Sequence, residues 1–314
     1  WHHLLCGPDF GTLVCESGIL HSYAGNSRLG RLTRLCPDVL RGAPSEEIYL
    51  LDENNMLYPL VRCPVLYEPG AAVYRGIAGD ILAETAVFAH REQPLGLRMV
   101  TLRSGKDRQA EVIWLVRFAL GEHPESTRCR AEGDFVFARD GGESGAAWAA
   151  MKGAKGGETS APMCFGLTGE MPPPGLLDGG TIGGSVAVLR KTVNLRAREP
   201  LRLTLALGFS QDEKEAGQAY AALLSQGAAA ALHDVRAYWS GRLSGMLLFS
   251  LDEAFERMMN RWLPYQVRSS RLMARMGPYQ AGQDAPQTSL GADDHAGYQA
   301  PRTGMPRAQK KKSK

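Results

Sequence analysis

The sequence predicts a mainly β protein, a large antiparallel β-sandwich followed by helices. Residues 11–209 show mostly period-two apolar alternation interrupted by Gly, Pro and Asp, which is the pattern of strands buried on one face. The period becomes helical at Ser210 and disappears after Gly282. These changes divide the chain into a β-sandwich domain at 1–209, a helical linker at 210–249, a third helix with its loop at 250–282, and a disordered basic tail at 283–314.

Strands near the end of the sandwich show the pattern most clearly. Four leucines between Leu201 and Leu207 alternate with polar or small residues, which places the leucines on one face. The alternation also holds on either side of Lys191. Residues 97–103 and 110–120 flank Ser104-Gly105-Lys106 and predict a hairpin. Gly and Ala crowd residues 141–157, which we expect to form a long loop.

Three helices follow the sandwich. Residues 210–213 (SQDE) form a capping box, in which the hydroxyl and the carboxylate each accept a free backbone N–H. This predicts a helix to about Ser225, ended by Gly227. A second helix is expected at 228–243.

A second box, residues 250–253 (SLDE), begins the third helix. Pro264 lies inside this helix and should kink it, because proline removes one backbone donor. Its apolar stripe consists of Phe255, Met258, Met259, Trp262, Leu263 and Leu272.

The charge balance argues against nucleic-acid binding. The formal charge of +3 comes from 36 Lys/Arg and 33 Asp/Glu, but residues 283–314 alone hold six Lys/Arg and three Asp. The rest of the chain is therefore neutral, and it has no basic stripe interleaved with aromatics. The lysines at 310–314 are typical of a solvated end.

Cysteine and histidine spacing predicts free thiols and no metal site. The cysteines never form CxxC and never lie near paired histidines at metal-ligand spacing. With no signal segment and no long apolar run, these thiols favour a cytoplasmic location. The chain opens at Trp1 without an initiator Met, so we expect that upstream sequence is missing. The six cysteines are Cys6, Cys15, Cys36, Cys63, Cys129 and Cys164.

Four blocks of sequence, in order along the chain, carry a family resemblance. The first block consists of residues 7–14 (GPDFGTLV), 16–18 (ESG), 23–28 (YAGNSR) and 31–33 (RLT). The second is 46–53 (EEIYLLDE), and the third is the pair of strands at 84–100 and 111–120. The fourth consists of 260–266 (NRWLPYQ) and 271–282 (RLMARMGPYQAG). Together they resemble glycoside hydrolase family 94, formerly glycosyltransferase family 36, of the cyclic β-1,2-glucan synthase and cellobiose phosphorylase type.

The resemblance implies a galactose-mutarotase-like supersandwich, linker helices and the first helix of an incomplete (α/α)6 barrel. The family's next segment, Gly-x-Phe-Arg-Asp-Gln-x-Gln-Asp, is replaced by residues 283–286 (QDAP). We therefore expect a truncation after Gly282, through a frameshift, a misplaced gene end or a fused tail. The family's catalytic Asp would lie beyond the end of the chain, so no catalytic residue is assigned.

The function implied by the resemblance is that of a carbohydrate-binding scaffold domain of a β-glucan phosphorylase or cyclic β-1,2-glucan synthase. The family reaction resembles inverting glycoside cleavage with phosphate in place of water. The implied partners are a β-glucan or β-linked oligosaccharide and a second copy in a homodimer, with inorganic phosphate as co-substrate and no cofactor. The alternative is a free-standing, non-enzymatic carbohydrate-binding or assembly module.

Few residues are candidates for this chemistry. Arg275 aligns with the family's phosphate-binding Arg, whose planar fork suits two phosphate oxygens, although an Arg near a helix end is commonly a dipole-complementing charge. Asn26, Ser27 and Arg28 correspond to a region near sugar, domain or subunit contacts, and such residues also satisfy turn backbones.

Other polar and aromatic candidates are interpreted as structural. Trp114 and Trp239 lie in apolar patterns and are expected in the core, although they and Trp148 could stack on sugars. The acid pairs Glu46-Glu47 and Asp52-Glu53 are interpreted as solvated rims, because neighbours along a strand point to opposite faces.

Overall fold

The computed structural model describes residues 2–7, 9–25, 30–35, 43–120, 126–140, 145–153, 155–159, 185–245 and 247–269. The strands are β1 His3–Cys6, β2 Phe10–Cys15, β3 Gly18–Ala24, β4 Glu46–Leu51, β5 Leu57–Pro59, β6 Val65–Glu68, β7 Ala71–Ala78, β8 Ile81–Ala89, β9 Leu95–Arg103, β10 Arg108–Phe118, β11 Arg128–Glu132, β12 Phe135–Arg139, β13 Ala146–Met151, β14 Lys155–Thr159, β15 Ser185–Leu195 and β16 Pro200–Ser210. The helices are α1 Glu213–Gln226, α2 Ala228–Leu243, α3 Glu253–Arg257 and α4 Leu263–Val267, with a π-helical turn, Met258–Trp262, between the last two.

Two antiparallel sheets face each other across the main core. The first has the strand order β1-β2-β3-β4-β10-β15-β14, with β5 paired to β4, and the second has the order β11-β12-β13-β16-β9-β8-β7-β6. Leu203, Leu205 and Leu207 lie in the core between the sheets and Leu201 packs against it, which confirms that these leucines share one face. Trp114 is buried in the same core, as predicted. The mainly β sandwich is confirmed.

Helices α1 and α2 cover the outer face of the second sheet and make a third layer. Leu223 and Trp239 from the helices pack with Phe88 and Leu97 from the sheet. The predicted bounds of both helices hold within one or two residues, and Gly227 separates them with a φ of 84°. No helix in the described ranges has the length and hydropathy needed to cross a membrane.

The cap of α1 lies two residues later than predicted. Strand β16 continues through Ser210, so Asp212 becomes the N-cap and its carboxylate accepts the Glu215 N–H at 2.7 Å. Glu215 in turn accepts the Gln211 N–H at 2.6 Å. The arrangement resembles a capping box, with an aspartate in place of the serine and with the N–H one residue before the N-cap as the donor to Glu215.

The predicted hairpin at 97–120 is wrong, because its two strands belong to different sheets. Strand β9 pairs with β8 and β16, whereas β10 pairs with β4 and β15. The turn after Arg103 carries the chain from one sheet to the other. It is fixed beside the β15–β16 connection, where Asp107 accepts the Ala197 N–H at 2.6 Å.

The predicted long loop at 141–157 is also wrong where the structure describes it. Strand β13 pairs with β12 and β16, and β14 pairs with β15. Alanine has a low strand propensity, but the small side chains of β13 are buried on both faces, between the main core and the helical layer. Tertiary packing therefore overrides local preference.

The third helix is interrupted rather than simply kinked. It begins at Asp252, whose carboxylate accepts the N–H groups of Ala254 and Phe255. Before Pro264 the ladder shifts to i→i−5 spacing, since Leu263 donates its N–H to the Met258 carbonyl. Because Pro264 cannot donate to the i−4 carbonyl and its ring crowds that group, the π-helical turn accommodates it.

Candidate functional site

The segment 253–269 is attached to the sandwich mainly through a buried tyrosine. Tyr265 is 1% exposed and its hydroxyl donates to the Leu4 carbonyl at 2.6 Å. Its ring meets Trp239 of α2 edge-on, with centroids 4.5 Å apart. At the end of the segment the Cys6 thiol approaches the Ser269 carbonyl at 3.7 Å. We refer to segment 253–269 as the anchored helix.

His3 of β1 completes this contact from the sandwich side. Its ring stacks on Tyr265 at 5.1 Å and lies 5.9 Å from Trp262. Its Nε2 is 2.9 Å from the Glu68 carbonyl. The imidazole is thus an aromatic packing element joined to the backbone, and it links the first strand to the anchored helix.

Glycine at position 70 makes room for this packing. Gly70 lies in the β6–β7 turn with a φ of 81°, and a Cβ there would come within 2.2 Å of the Trp239 ring. A side chain at this position would both strain the turn and displace Trp239. The turn, α2 and the anchored helix are therefore packed as one unit.

The stability of the fold should fall as His3 becomes protonated. Burial lowers the pKa of His3 to about 4 from its ordinary value of 6.5, with backbone hydrogen bonds opposing the shift. Between these pH values the unfolded chain binds more protons than the folded one. The contribution is therefore complete above pH 6.5 and is lost as the pH falls toward 4, by about 3 kcal/mol.

Urea unfolding at pH 7, 6, 5 and 4 checks this expectation. The matched control is His3→Phe, which keeps a ring but removes the titration, so its unfolding free energy should depend less on pH across this window. Equal pH dependence in both proteins would show that the pKa of His3 is the same in the folded and unfolded states. His3 would then not be buried as a neutral ring.

The opposite side of the anchored helix is apolar and exposed. Phe255, Met258, Leu263 and Val267 are each between 42% and 47% exposed. Because the turn has i→i−5 spacing, Leu263 lies one turn after Met258 on the same exposed side of the helix. Trp262 faces the sandwich instead. The predicted single stripe is therefore split: Leu272 lies outside the described residues, and Met259 is half-buried.

The connection before this helix extends the exposed region. Asn260 holds it in place, since its amide donates to the Leu248 carbonyl at 2.7 Å and its Oδ1 accepts the Leu248 N–H at 2.8 Å. We define the outer apolar surface by seven side chains, which are Leu247, Phe249, Leu251, Phe255, Met258, Leu263 and Val267.

The carboxylates Glu46 and Glu47 are the strongest acid/base candidates by chemistry, and the prediction that they form a solvated rim is wrong. Glu46 is fully buried between the sheets, where Arg98 binds it through Nε at 2.8 Å and Nη2 at 2.5 Å. Ser22 and Trp114 also donate to it, at 3.1 and 3.2 Å. Glu46 is therefore the common acceptor of a buried structural network, in which the Arg98 Nη1 is left without a hydrogen-bond partner among the described residues.

Glu47 has separate partners on the other face of β4. Arg117 donates to its Oε2 at 2.6 Å, the Tyr49 hydroxyl donates to its Oε1 at 2.7 Å, and Arg62 lies 3.6 Å away. The two acids point to opposite faces, as strand geometry requires, so they cannot converge on one substrate. Each is neutralised by arginine, which suits structure rather than proton transfer.

The other predicted residues divide between rim, core and undescribed segments. Asp52 and Glu53 lie at a partly exposed turn, as predicted, and Asp52 accepts the N–H groups of Asn54 and Met56. Asn26, Ser27, Arg28 and Arg275 lie outside the described residues, and their roles stay predictions. Among the described cysteines, Cys6, Cys15 and Cys63 are free thiols.

Comparison with known proteins gives a family for this architecture. Residues 1–226 match the family "Glycosyl hydrolase 94, supersandwich domain". The chain is 25% identical to the cyclic β-(1,2)-glucan synthase NdvB of Rhizobium meliloti (strain 1021), and the match covers 90% of this chain. The chain spans 11% of the length of that relative.

Solved structures that resemble the chain have lower sequence identity. A kojibiose phosphorylase from the human microbiome is 9% identical, with a TM-score of 0.48 over 85% of this chain and 39% of that one. A galactose mutarotase related enzyme from Lactobacillus acidophilus is 8% identical, with a TM-score of 0.44 over 68% of this chain and 99% of that one. The family match over residues 1–226, which include all of the described sandwich, identifies the chain as a member of the glycosyl hydrolase 94 supersandwich family.

Proposed function

We propose that this chain is the carbohydrate-binding scaffold of a β-glucan phosphorylase or cyclic β-1,2-glucan synthase, and that a catalytic domain docks on its outer apolar surface. The family match and the name of the NdvB relative support this class of enzyme. The observation that carries the proposal is the two-sided environment of the anchored helix. One side is fixed to the sandwich through Tyr265, and the other presents exposed apolar side chains.

The concentration of exposed apolar side chains supports a docking role. Of the twelve large hydrophobic side chains exposed in the described residues, seven belong to the outer apolar surface. Soluble proteins rarely expose contiguous apolar patches without an interaction purpose. The anchored helix corresponds to the region that resembles the first barrel helix, so its natural neighbours are further helices of a catalytic barrel.

The chemistry of bond exchange is assigned to that catalytic domain. In the described sandwich, the two buried carboxylates are held by Arg98 and Arg117, which leaves them unsuited to protonate a leaving oxygen. Inorganic phosphate is the proposed co-substrate of the assembled enzyme, and a β-glucan is its proposed partner. Arg275 for phosphate, and Asn26 to Arg28 for sugar or domain contacts, remain part of this proposal.

Two assays on the purified chain test the proposal. With β-1,2-glucan and inorganic phosphate we expect no release of sugar phosphate above the protein-free rate, and calorimetric titration with the same glucan should give only weak binding. Turnover by the chain would overturn the scaffold assignment. Tight glucan binding without turnover would favour the alternative, a free-standing carbohydrate-binding module.

The outer apolar surface should make the isolated chain bind apolar dyes and self-associate. Replacing Phe255, Met258 and Leu263 together with glutamine is expected to lower dye fluorescence several-fold and to shift any dimer toward monomer, because exposed apolar area drives both. Fluorescence titration and light scattering measure the two effects.

A matched variant shows whether the effect depends on where the three apolar side chains lie or only on the loss of three exposed apolar side chains. Met56, Leu66 and Leu82 are also exposed but lie on the sandwich, and replacing these three with glutamine should change dye binding much less. Equal losses in the two triple variants would contradict a localised docking surface.

A further inference from the structure

A second feature of the helical side is a cleft lined by two arginines that have no carboxylate partner among the described residues. It has a volume of about 250 Å³ and lies between the end of β8, the start of the β1–β2 turn and α2. Its lining residues include Cys6, Gly7, Arg91, Tyr238, Trp239 and Arg242. None of its lining residues belongs to the outer apolar surface.

The two arginines share one aromatic ring. The guanidinium carbon of Arg91 lies 4.4 Å from the Tyr238 centroid, and that of Arg242 lies 5.4 Å from it. Both positive charges are therefore within about 10 Å of each other, one Debye length at 0.1 M salt. A pair of like charges held this closely gains from a negative group between or beside them.

Neither guanidinium is satisfied by a carboxylate in the part of the chain that the structure describes. Arg190 and Arg236, which are also on the surface, pair with Glu111 and Glu68. Within the described ranges, by contrast, Arg91 and Arg242 make cation–π contacts only. The acids Glu92 and Asp234 line a neighbouring hollow to which Arg91 and Tyr238 also contribute, and Asp234 accepts the Gln226 amide at 3.0 Å.

The position of Arg91 is set by a rigid turn. The Nδ1 of His90 accepts the N–H groups of Glu92 and Gln93, both at 3.1 Å. The His90 proton therefore resides on Nε2, which donates to the Gln226 Oε1 of α1 at 3.0 Å. The turn that carries Arg91 is thus fixed to the helical layer, so little ordering is needed before a ligand binds.

We propose that this cleft binds a small ligand through an oxyanion, a phosphate or a carboxylate, held by Arg91 and Arg242 beside the Tyr238 ring. Guanidinium groups match the oxygens of both anions in geometry and charge. The volume suits inorganic phosphate or one sugar phosphate rather than a chain of sugars. Burial raises the pKa of the Cys6 thiol to about 12, so the cleft is suited to binding rather than to nucleophilic chemistry.

Calorimetric titration of the full chain at constant ionic strength tests this site. The ligands are sodium phosphate, glucose 1-phosphate, sodium acetate and uncharged glucose. We expect saturable binding of at least one anion and none of glucose. Tighter binding of glucose 1-phosphate than of phosphate would mean that the cleft also holds the sugar ring, and binding of acetate would identify a carboxylate ligand.

Three single variants decide whether the arginines are responsible. Arg91→Gln and Arg242→Gln should each weaken anion binding about tenfold, the size expected for a lost charge-assisted contact. Arg202→Gln removes the same charge from an exposed position on β16 and should change the affinity less than twofold. All three should keep the melting temperature of the parent.

The proposal is overturned if no anion gives saturable heat, or if Arg202→Gln weakens binding as much as Arg91→Gln. It does not depend on the scaffold assignment, because anion binding and glucan turnover are measured separately.

Discussion

Replacing Arg98 with methionine is expected to lower the free energy of unfolding by about 3–5 kcal/mol. Arg98 and Glu46 are both fully buried between the sheets, and the guanidinium binds the carboxylate through two nitrogens. Methionine would leave the Glu46 charge in the core with only the Ser22 and Trp114 donors. Urea unfolding followed by far-ultraviolet circular dichroism measures the loss.

A double variant shows whether the cost comes from the uncompensated charge. Glu46→Gln with Arg98→Met removes the charge but keeps an acceptor for the Trp114 indole and a donor for the Ser22 hydroxyl. It should recover more than half of the stability that Arg98→Met loses. A loss below about 1 kcal/mol in the single variant would show that Glu46 is not buried as an ion.

Replacing Tyr265 with alanine is expected to release the anchored helix from the sandwich. The change removes a fully buried ring that contacts His3 and Trp239, and it removes the hydrogen bond to Leu4. Loss of a large buried aromatic costs about 3–5 kcal/mol. Trypsin cleavage at Arg257, Arg261 and Arg268 should therefore become about a hundredfold faster or more, because cleavage follows the population of the open form.

Two further variants separate anchoring from general stability. Tyr265→Phe keeps the ring and loses only the hydroxyl, so cleavage should accelerate about tenfold or less. Phe255→Ala changes the exposed side of the same helix and should alter cleavage less than twofold. If Tyr265→Ala left cleavage unchanged, the helix would not be held by this residue.

The regular parts of the fold could be predicted from periodicity. The leucines of β16 alternate over an uninterrupted stretch, and α1 and α2 have a clear separator in Gly227. Local signals of this kind determine which residues form an element and which face is apolar. They also supported the burial of Trp114 and Trp239.

Three of the failed predictions depend on contacts between distant residues. A turn at Ser104 has the local features of a hairpin, but pairing with β16 and β4 assigns its two strands to different sheets. The alanines of β13 become a strand because they fit beneath a helical layer. Glu46 resembles a rim residue until Arg98, 52 residues along the chain, is placed opposite it.

The candidate site was only partly predictable for the same reason. The third helix was predicted together with the apolar residues Phe255, Met258 and Leu263, which the structure places on its outer side. Its anchor was not, since 261 residues separate Tyr265 from Leu4 and His3 gave no recognisable motif. A tyrosine three residues after Trp262 on an apolar helix was the available signal.

Hydrogen exchange of the unmodified full chain tests most directly whether the sandwich holds this helix in place as a scaffold would. Amides of residues 263–269 should exchange with protection comparable to that of α2. The reason is that Tyr265 packs residues 263–269 and α2 into the same aromatic cluster. Exchange at the rate of an unstructured peptide in 263–269, with α2 still protected, would contradict the account.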